Sequence, residues 1–202
     1  MKPRASRDRA LWLIWGWLGG VLTAVAVGAL AALLIMSGIA FNTSAASPHS
    51  RLLAWAVHKT MIHSVKRRAA KLPPLPPSTP AAILSGAAEY ERHCITCHGG
   101  PGVPRAAWVS AMLPTPPFLL DTSAHWSPEE LYELVHDGVK MTGMPAWGEI
   151  EPDGKITDIV AFLEAMPAIT PHRFAKIRRR IGAPIPADGV QGRGLAGASG
   201  TP

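Results

Sequence analysis

The longest apolar stretch of the chain runs from Leu11 to Phe41 and contains no charged residue. At ~1.5 Å per residue, a helix of this length is ample for a hydrocarbon core of ~30 Å. The pattern therefore predicts a transmembrane anchor over residues 10–40, after a basic N-terminus at residues 1–9. A cleaved signal peptide is the alternative, since small residues follow at positions 43–46. However, signal-peptide hydrophobic regions span only ~7–15 residues, and we expect the anchor to be retained.

The residues that flank this stretch predict its orientation. Basic residues precede it, and aromatic residues cluster at the same end, where a membrane interface would lie; they are Lys2, Arg4, Arg7 and Arg9, and Trp12, Trp15 and Trp17. Because basic residues favour the cytoplasmic side, we expect a cytoplasmic N-terminus and the rest of the chain outside the cytoplasmic membrane.

A second pattern predicts a membrane-proximal basic amphipathic helix within residues 41–71. Its apolar residues recur at spacings of three and four, with basic residues on the other faces; the apolar set is Leu52, Trp55, Ile62, Val65 and Ala69. Such a helix would lie on an anionic membrane surface or pack on a partner subunit. Residues 72–80 are rich in proline, which favours an extended linker of ~3.1 Å per residue.

Residues 81–170 form the predicted globular domain. The pattern indicates helices over Ala82–Cys94, after the cap at Ser127 as far as Gly138, and over Ile156–Met166. No convincing period-two strand is present, so the predicted fold class is all-α. Residues 171–202 are predicted to be a basic tail that is disordered from about Ala183.

Charge is distributed unevenly between these segments. Residues 81–170 hold four basic and twelve acidic residues, a formal charge of −8, whereas residues 51–80 hold six basic residues and no acid. The high pI of about 9.7 therefore comes from the basic segments before residue 81 and after residue 170, called here the basic arms, and not from the globular domain. This distribution argues against nucleic-acid binding.

The run Cys94-Ile95-Thr96-Cys97-His98 has the C-x-x-C-H pattern of c-type haem attachment. Cys94 and Cys97 would form thioethers with the haem vinyl groups, and His98 would be an axial ligand of the iron. Zinc would need further suitably spaced ligands, and a thioredoxin-like pair would need a βαβ setting. The predicted topology favours haem, because it places the motif where c-type haem is attached.

The second axial ligand should follow the motif in the chain. Met144 lies in the run Gly143-Met144-Pro145, where proline and glycine indicate an irregular loop. A thioether is a soft, neutral ligand that raises the reduction potential. The competing candidates are Met141, Met112, His125 and His136. A second haem ligated by His49, His58 or His63 is a further alternative to ordinary surface histidines.

From about Ser85 to Leu163 the chain resembles class I cytochrome c. The resemblance rests on the haem motif and on three further runs, Gly86-Ala87-Ala88-Glu89-Tyr90, Thr142-Gly143-Met144-Pro145-Ala146-Trp147 and Val160-Ala161-Phe162-Leu163. It implies an all-α class I cytochrome c fold around one covalent haem c. It also implies that the two terminal helices cross, with the small Gly86 position facing Phe162.

These inferences predict a membrane-anchored monohaem cytochrome that transfers electrons as a carrier or subunit between respiratory or dehydrogenase complexes. With His98 and Met144 as axial ligands no iron site is open for a substrate, so we expect no enzyme activity of its own. The acidic domain predicts redox partners with a basic docking surface. Alternatives are a haem sensor or peroxidase-like enzyme with a displaceable methionine, and a non-redox assembly subunit that uses residues 41–71.

Overall fold

The computed structural model describes residues 4–48 and 50–183. The chain divides into two compact units, Met1–Pro48 and His49–Pro202. In the described residues every regular element is a helix, and the strand-like pairing is limited to an isolated bridge between Gly100 and Val103. The all-α prediction is confirmed.

The first unit is built on one long helix, α1 (Arg4–Met36). Within it, Leu11–Met36 is long and apolar enough to span a membrane, and none of it is buried by other parts of the structure. The helix ends in a turn at Ser37 and Gly38, where Gly38 has a φ of 76°. The apolar helix fits the single-pass anchor predicted from the sequence.

The second unit contains the remaining helices. They are α2 (Arg51–Ala69), α3 (Pro80–His93), α4 (Ile95–His98), α5 (Leu119–Thr122), α6 (Pro128–Asp137), α7 (Asp153–Ala165) and α8 (Pro171–Arg180). Short 3₁₀ turns lie between them, at Ala107–Ala111, Ser123–His125, Trp147–Glu149 and Met166–Ala168.

Three helices of this unit start with the same local sequence, a hydroxyl residue followed by proline. The side chains of Thr79, Ser127 and Thr170 each accept a hydrogen bond from a backbone N–H in the first turn of α3, α6 and α8. The following proline lacks the N–H that would be left unpaired there. At Ser127 a reciprocal bond with Glu130 completes a capping box.

The crossing of α3 and α7 forms the centre of the core. At Gly86 a Cβ atom would overlap the carbonyl oxygen of Asp158, so the two backbones meet directly at this point. The ring of Phe162 instead packs on Tyr90, with centroids 5.2 Å apart. The helices cross as the resemblance implies, but backbone and not an aromatic ring lies closest to Gly86.

Helix α2 packs on α6 of the predicted haem domain. Val65 and Ala69 are buried, and Arg68 pairs with Glu133 at 2.7 Å and Asp137 at 3.0 Å. The proline-rich segment continues along the same surface, because Leu75 packs against the hydrophobic core and its N–H donates to Glu129. Residues 72–79, called here the proline-rich strap, therefore lie against the domain without regular secondary structure.

Helix α8 belongs to the same core. Phe174 is 1% exposed, packs 6.0 Å from Phe162 between ring centroids, and lies against Gly100. Arg178 forms a two-pronged ion pair with Glu91. Residues 171–180 are thus an ordered helix on the domain, and most of the tail predicted as disordered lies outside the described residues.

Candidate functional site

The cysteines and histidine of the motif lie on a single helical turn at the end of α3. Cys94 caps α3, and its carbonyl oxygen accepts hydrogen bonds from the N–H groups of Cys97 at 3.1 Å and His98 at 2.9 Å. Gly99, with a φ of 67°, then turns the chain away. This turn fixes the spacing between the two cysteines and places the histidine next to them on the same turn.

The orientation of His98 is set by a hydrogen bond of 2.7 Å between Nδ1 and the carbonyl oxygen of Pro117. Because a carbonyl oxygen can only accept, Nδ1 carries the proton and Nε2 keeps its lone pair. Burial lowers the pKa of His98 and nearby Arg105 acts in the same direction, although the bond to Pro117 opposes them. The ring is therefore held neutral, in the form that binds iron.

Arg105 holds the segment that supplies this carbonyl group. Its guanidinium donates to the carbonyl oxygen of Pro116 at 2.6 Å and lies 4.3 Å from the ring centroid of Phe118. Pro117 is thus fixed on both sides. Sequence reasoning missed this residue, although a lone cation between the motif and the following proline run was a visible sign.

A second segment, residues 139–144, forms a tight loop around Met144. The Met144 N–H donates to the Thr142 hydroxyl at 3.1 Å, and its carbonyl oxygen accepts from the Val139 N–H at 3.2 Å. Met144 is half-buried and packs against the hydrophobic core that Cys94 also contacts. Met141, in contrast, is 80% exposed and has a φ of 62°.

The other candidate ligands have different surroundings. Met112 is half-buried, and its Cε lies where a side chain at Gly143 would be placed. His125 is exposed. His136 bonds Asp137 at 2.8 Å and lies against Gly148. In this set Met112 is the rival that lies closest to the Met144 loop.

His93 joins the haem motif to the chain that follows Met144. Its ring lies 4.5 Å from that of Trp147 between centroids, and Nε2 is 2.8 Å from a carboxylate oxygen of Glu151. Since His93 directly precedes Cys94, these contacts hold the two halves of the predicted site together.

Glu89, His93 and Glu151 present potential metal-ligand atoms within 4.8 Å of one another. However, the buried carboxylate of Glu89 already contacts Lys155 at 2.9 Å and Arg92 at 2.7 Å. These cations satisfy its charge, so the cluster is an ion-pair network that braces α3 against α7.

One comparison with known proteins gave a match, to a family model. The family model for cytochrome c oxidase, cbb3-type, subunit III matches residues 81–163. No curated protein and no solved structure gave a significant match. Residues 81–163 form a class I c-type cytochrome domain. The cofactor of this cytochrome domain is haem c, and the domain takes part in electron transfer.

The residues present fit that cofactor. They offer two thiols on one turn, a neutral imidazole with a free Nε2 and a half-buried thioether. Burial raises the pKa of the Cys94 thiol to about 12, unlike the reactive thiolate of a redox dithiol. Between the motif and α6 the domain also exposes large apolar side chains, namely Trp108, Leu113, Phe118 and Leu120. An apolar macrocycle is the kind of group that would cover such side chains.

The histidines proposed as ligands of a second haem are not gathered into a site. His58 and His63 are both exposed on α2, and neither joins a cluster of potential metal ligands among the described residues. His49 lies outside the described residues. The described part of α2 thus supports the reading of ordinary surface histidines.

Proposed function

We propose that the chain is a membrane-anchored electron carrier or redox subunit with one haem c. Cys94 and Cys97 hold it through thioethers, and His98 and Met144 are the axial ligands. The observation that carries this assignment is the His98–Pro117 hydrogen bond, which presents a neutral ring with Nε2 available. When bound, haem c supplies a one-electron Fe(III)/Fe(II) couple.

The protein's own residues would set the properties of that couple. The Pro117 carbonyl group, by accepting from Nδ1, makes His98 a stronger electron donor and lowers the potential. Met144, held by Thr142 and Val139, would favour the reduced state and raise it. Prolines in the surrounding loops would restrict backbone rearrangement near the haem. A fixed environment of this kind suits a carrier, because little needs to rearrange when charge changes.

We propose that α1 spans the cytoplasmic membrane once, with its N-terminus in the cytoplasm and the cytochrome domain in the periplasm or its equivalent. The basic residues that precede the apolar segment Leu11–Met36 support this orientation. The domain would then meet its redox partners at the periplasmic surface of the cytoplasmic membrane.

Membrane respiratory or dehydrogenase complexes are the partners we propose. The matching family is described as an oxidase subunit, which supports a role as the cytochrome subunit of a larger complex. A basic docking surface on the partner would suit the acidic domain. Fewer acidic residues are available to such a partner than the formal charge suggests, because Lys66, Arg68 and Arg178 already pair with acidic residues of the domain.

Redox titration of the purified full-length protein, with carbon monoxide added to the reduced form, tests the function. An electron carrier with both axial sites filled should titrate as a single one-electron centre and leave its spectrum unchanged by carbon monoxide. A high-spin reduced form that binds carbon monoxide would instead favour the sensor or peroxidase-like alternative.

A further inference from the structure

The first two turns of α2 carry large apolar side chains that are exposed, after the single charged residue Arg51. Leu52 is 73% exposed, Trp55 60% and Val57 48%. We call residues 51–57 the tip of α2. Its other residues are Arg51, Leu53, Ala54 and Ala56. The half of the helix that packs on α6 lies further along, at Val65 and Ala69. The apolar residues of α2 thus extend towards its N-terminus beyond the part of the helix that packs on α6.

The positive charge of α2 indicates that its exposed surface contacts an anionic binding partner. Residues 51–71 contain six basic residues and no acid. Lys66 and Arg68 are used in pairing with α6. The structure gives the other four no acidic partner among the residues it describes; they are Arg51, Lys59, Arg67 and Lys71.

Chain continuity places a lipid surface within reach of this tip. Only residues 37–50 separate the end of the apolar helix α1 from the start of α2, and they include no acidic, lysine or arginine residue. A tethered segment experiences a high effective concentration of whatever its anchor occupies. Because α1 fits a membrane span, the anchor would occupy a lipid bilayer, and the tip of α2 would be held close to the bilayer surface.

A protein partner explains these features less well. A helix that docks in a groove uses one apolar face, whereas the exposed apolar residues Leu52, Trp55 and Val57 are not confined to a single face at spacings of three and four. A second copy of the same tip would bring like charges together. Tryptophan beside leucine, with basic residues one or two turns away, is typical of helices in the membrane–water interface.

We propose that residues 51–57 insert into the membrane–water interface while the basic residues of α2 contact the phosphates of anionic phospholipids. Since α2 and the proline-rich strap are both packed on the domain, this insertion holds the cytochrome domain at the membrane surface instead of leaving it on a long swinging tether. The proposal rests on the anchoring role of α1.

Collision quenching in vesicles tests the insertion. The full-length haem protein would be reconstituted in phosphatidylcholine vesicles that contain phosphatidylglycerol, with one fluorescent label on Leu52→Cys. The native cysteines, held as thioethers, would not react. Leu22→Cys in α1 and Ser110→Cys on the exposed surface of the domain are the reference positions.

We expect a lipid-borne quencher to reach the labels at positions 52 and 22, and a water-soluble quencher to reach the label at position 110. Lys59→Glu combined with Arg67→Glu should weaken lipid contact at position 52 by at least about fivefold at low salt. The matched change in α8, Lys176→Glu with Arg179→Glu, should leave it unchanged.

Two results would overturn the insertion while leaving the anchor intact. In one, the label at position 52 is quenched from water while that at position 22 is quenched from lipid. In the other, position 52 is shielded from both quenchers, which would indicate protein on this face. If position 22 is also reached from water, the anchor itself fails and the insertion fails with it.

Discussion

The Nδ1 atom of His98 lies 2.7 Å from the carbonyl oxygen of Pro117, and this contact fixes which ring nitrogen can bind iron. Arg105 stabilises the same segment through the Pro116 carbonyl oxygen and the Phe118 ring. The proposed iron ligand is thus positioned by a residue that lies outside the C-x-x-C-H motif.

Replacing Arg105 by lysine should raise the reduction potential. The charge is retained, but the planar group that spans Pro116 and Phe118 is lost, so the bond from His98 to Pro117 weakens and the imidazole donates less to Fe(III). We expect a rise of up to about 60 mV in a redox titration, where 59 mV is tenfold for one electron. Arg173→Lys, on the exposed side of α8, is the control and should not shift it. An unchanged potential in the Arg105 variant would remove its positioning role.

Gly86→Ala should destabilise the domain, because the new Cβ would overlap the Asp158 carbonyl group and force α3 away from α7. Overpacking of this kind costs about 1–3 kcal/mol, measurable by denaturant unfolding. Gly154→Ala offers a matched control in α7, where nothing lies near the added methyl. It should be neutral or stabilise by up to about 1 kcal/mol. Equal losses in the two variants would argue against the backbone contact.

Glu89→Gln should lower stability at neutral pH and reduce the sensitivity of the domain to acid. Burial by itself raises the pKa of Glu89, but Lys155, with Arg92 and His93, more than offsets this and leaves the pKa below its usual value. The stabilisation is therefore complete above pH 4.5, and it is lost as the pH falls through the lowered pKa.

Removing the charged hydrogen bonds of Glu89 should cost about 1–3 kcal/mol at pH 7. Below that lowered pKa the variant and the wild type should converge in denaturant unfolding. A difference that stays constant down to the lowest pH would mean that the carboxylate charge is not the cause.

The sequence was sufficient for the cytochrome family and the all-α fold, because the C-x-x-C-H run and the helix caps depend on neighbouring residues. It was not sufficient for contacts between distant segments. The basic residues of α2 predicted contact with an anionic membrane surface or a partner subunit, yet nothing local indicated that Arg68 would pair with Glu133 and Asp137. The proline run predicted an extended linker, and the structure has no helix or strand over residues 73–79, but the sequence did not indicate that Leu75 would pack on the core.

The C-terminal segment shows the same limit. Phe174 and Ile177 have helical spacing, but the surrounding basic residues dominated the prediction of a tail. Arg105 was missed for a different reason, since its role comes from the path of residues 116–118 and not from any pattern at its own position.

Docking to an electron-transfer partner should depend on the acids that remain exposed and without a basic partner in the described structure. Asp121 and Glu149 are two of these, and they follow the His98-supporting segment and the Met144 loop closely in the chain. Asp121→Asn with Glu149→Gln should slow association with a basic partner about threefold to tenfold at low salt, and flatten its salt dependence.

Stopped-flow kinetics across ionic strength measures this effect. Glu164→Gln removes a similar charge from a carboxylate that bonds Ser78, and it serves as the control. A wild-type rate that is flat or rises with salt would contradict acidic docking and favour neutralisation by the protein's own basic arms.

The most direct test of the proposed site is the weak far-red methionine–iron band of the oxidised protein. We predict that the wild type shows this band with a low-spin spectrum, that Met144→Ala abolishes it, and that Met141→Ala and Met112→Ala retain it. The loop hydrogen bonds around Met144 and the exposure of Met141 are the reasons for this order. A wild type without the band, or its loss in the Met141 or Met112 variant and not in Met144→Ala, would contradict the assignment.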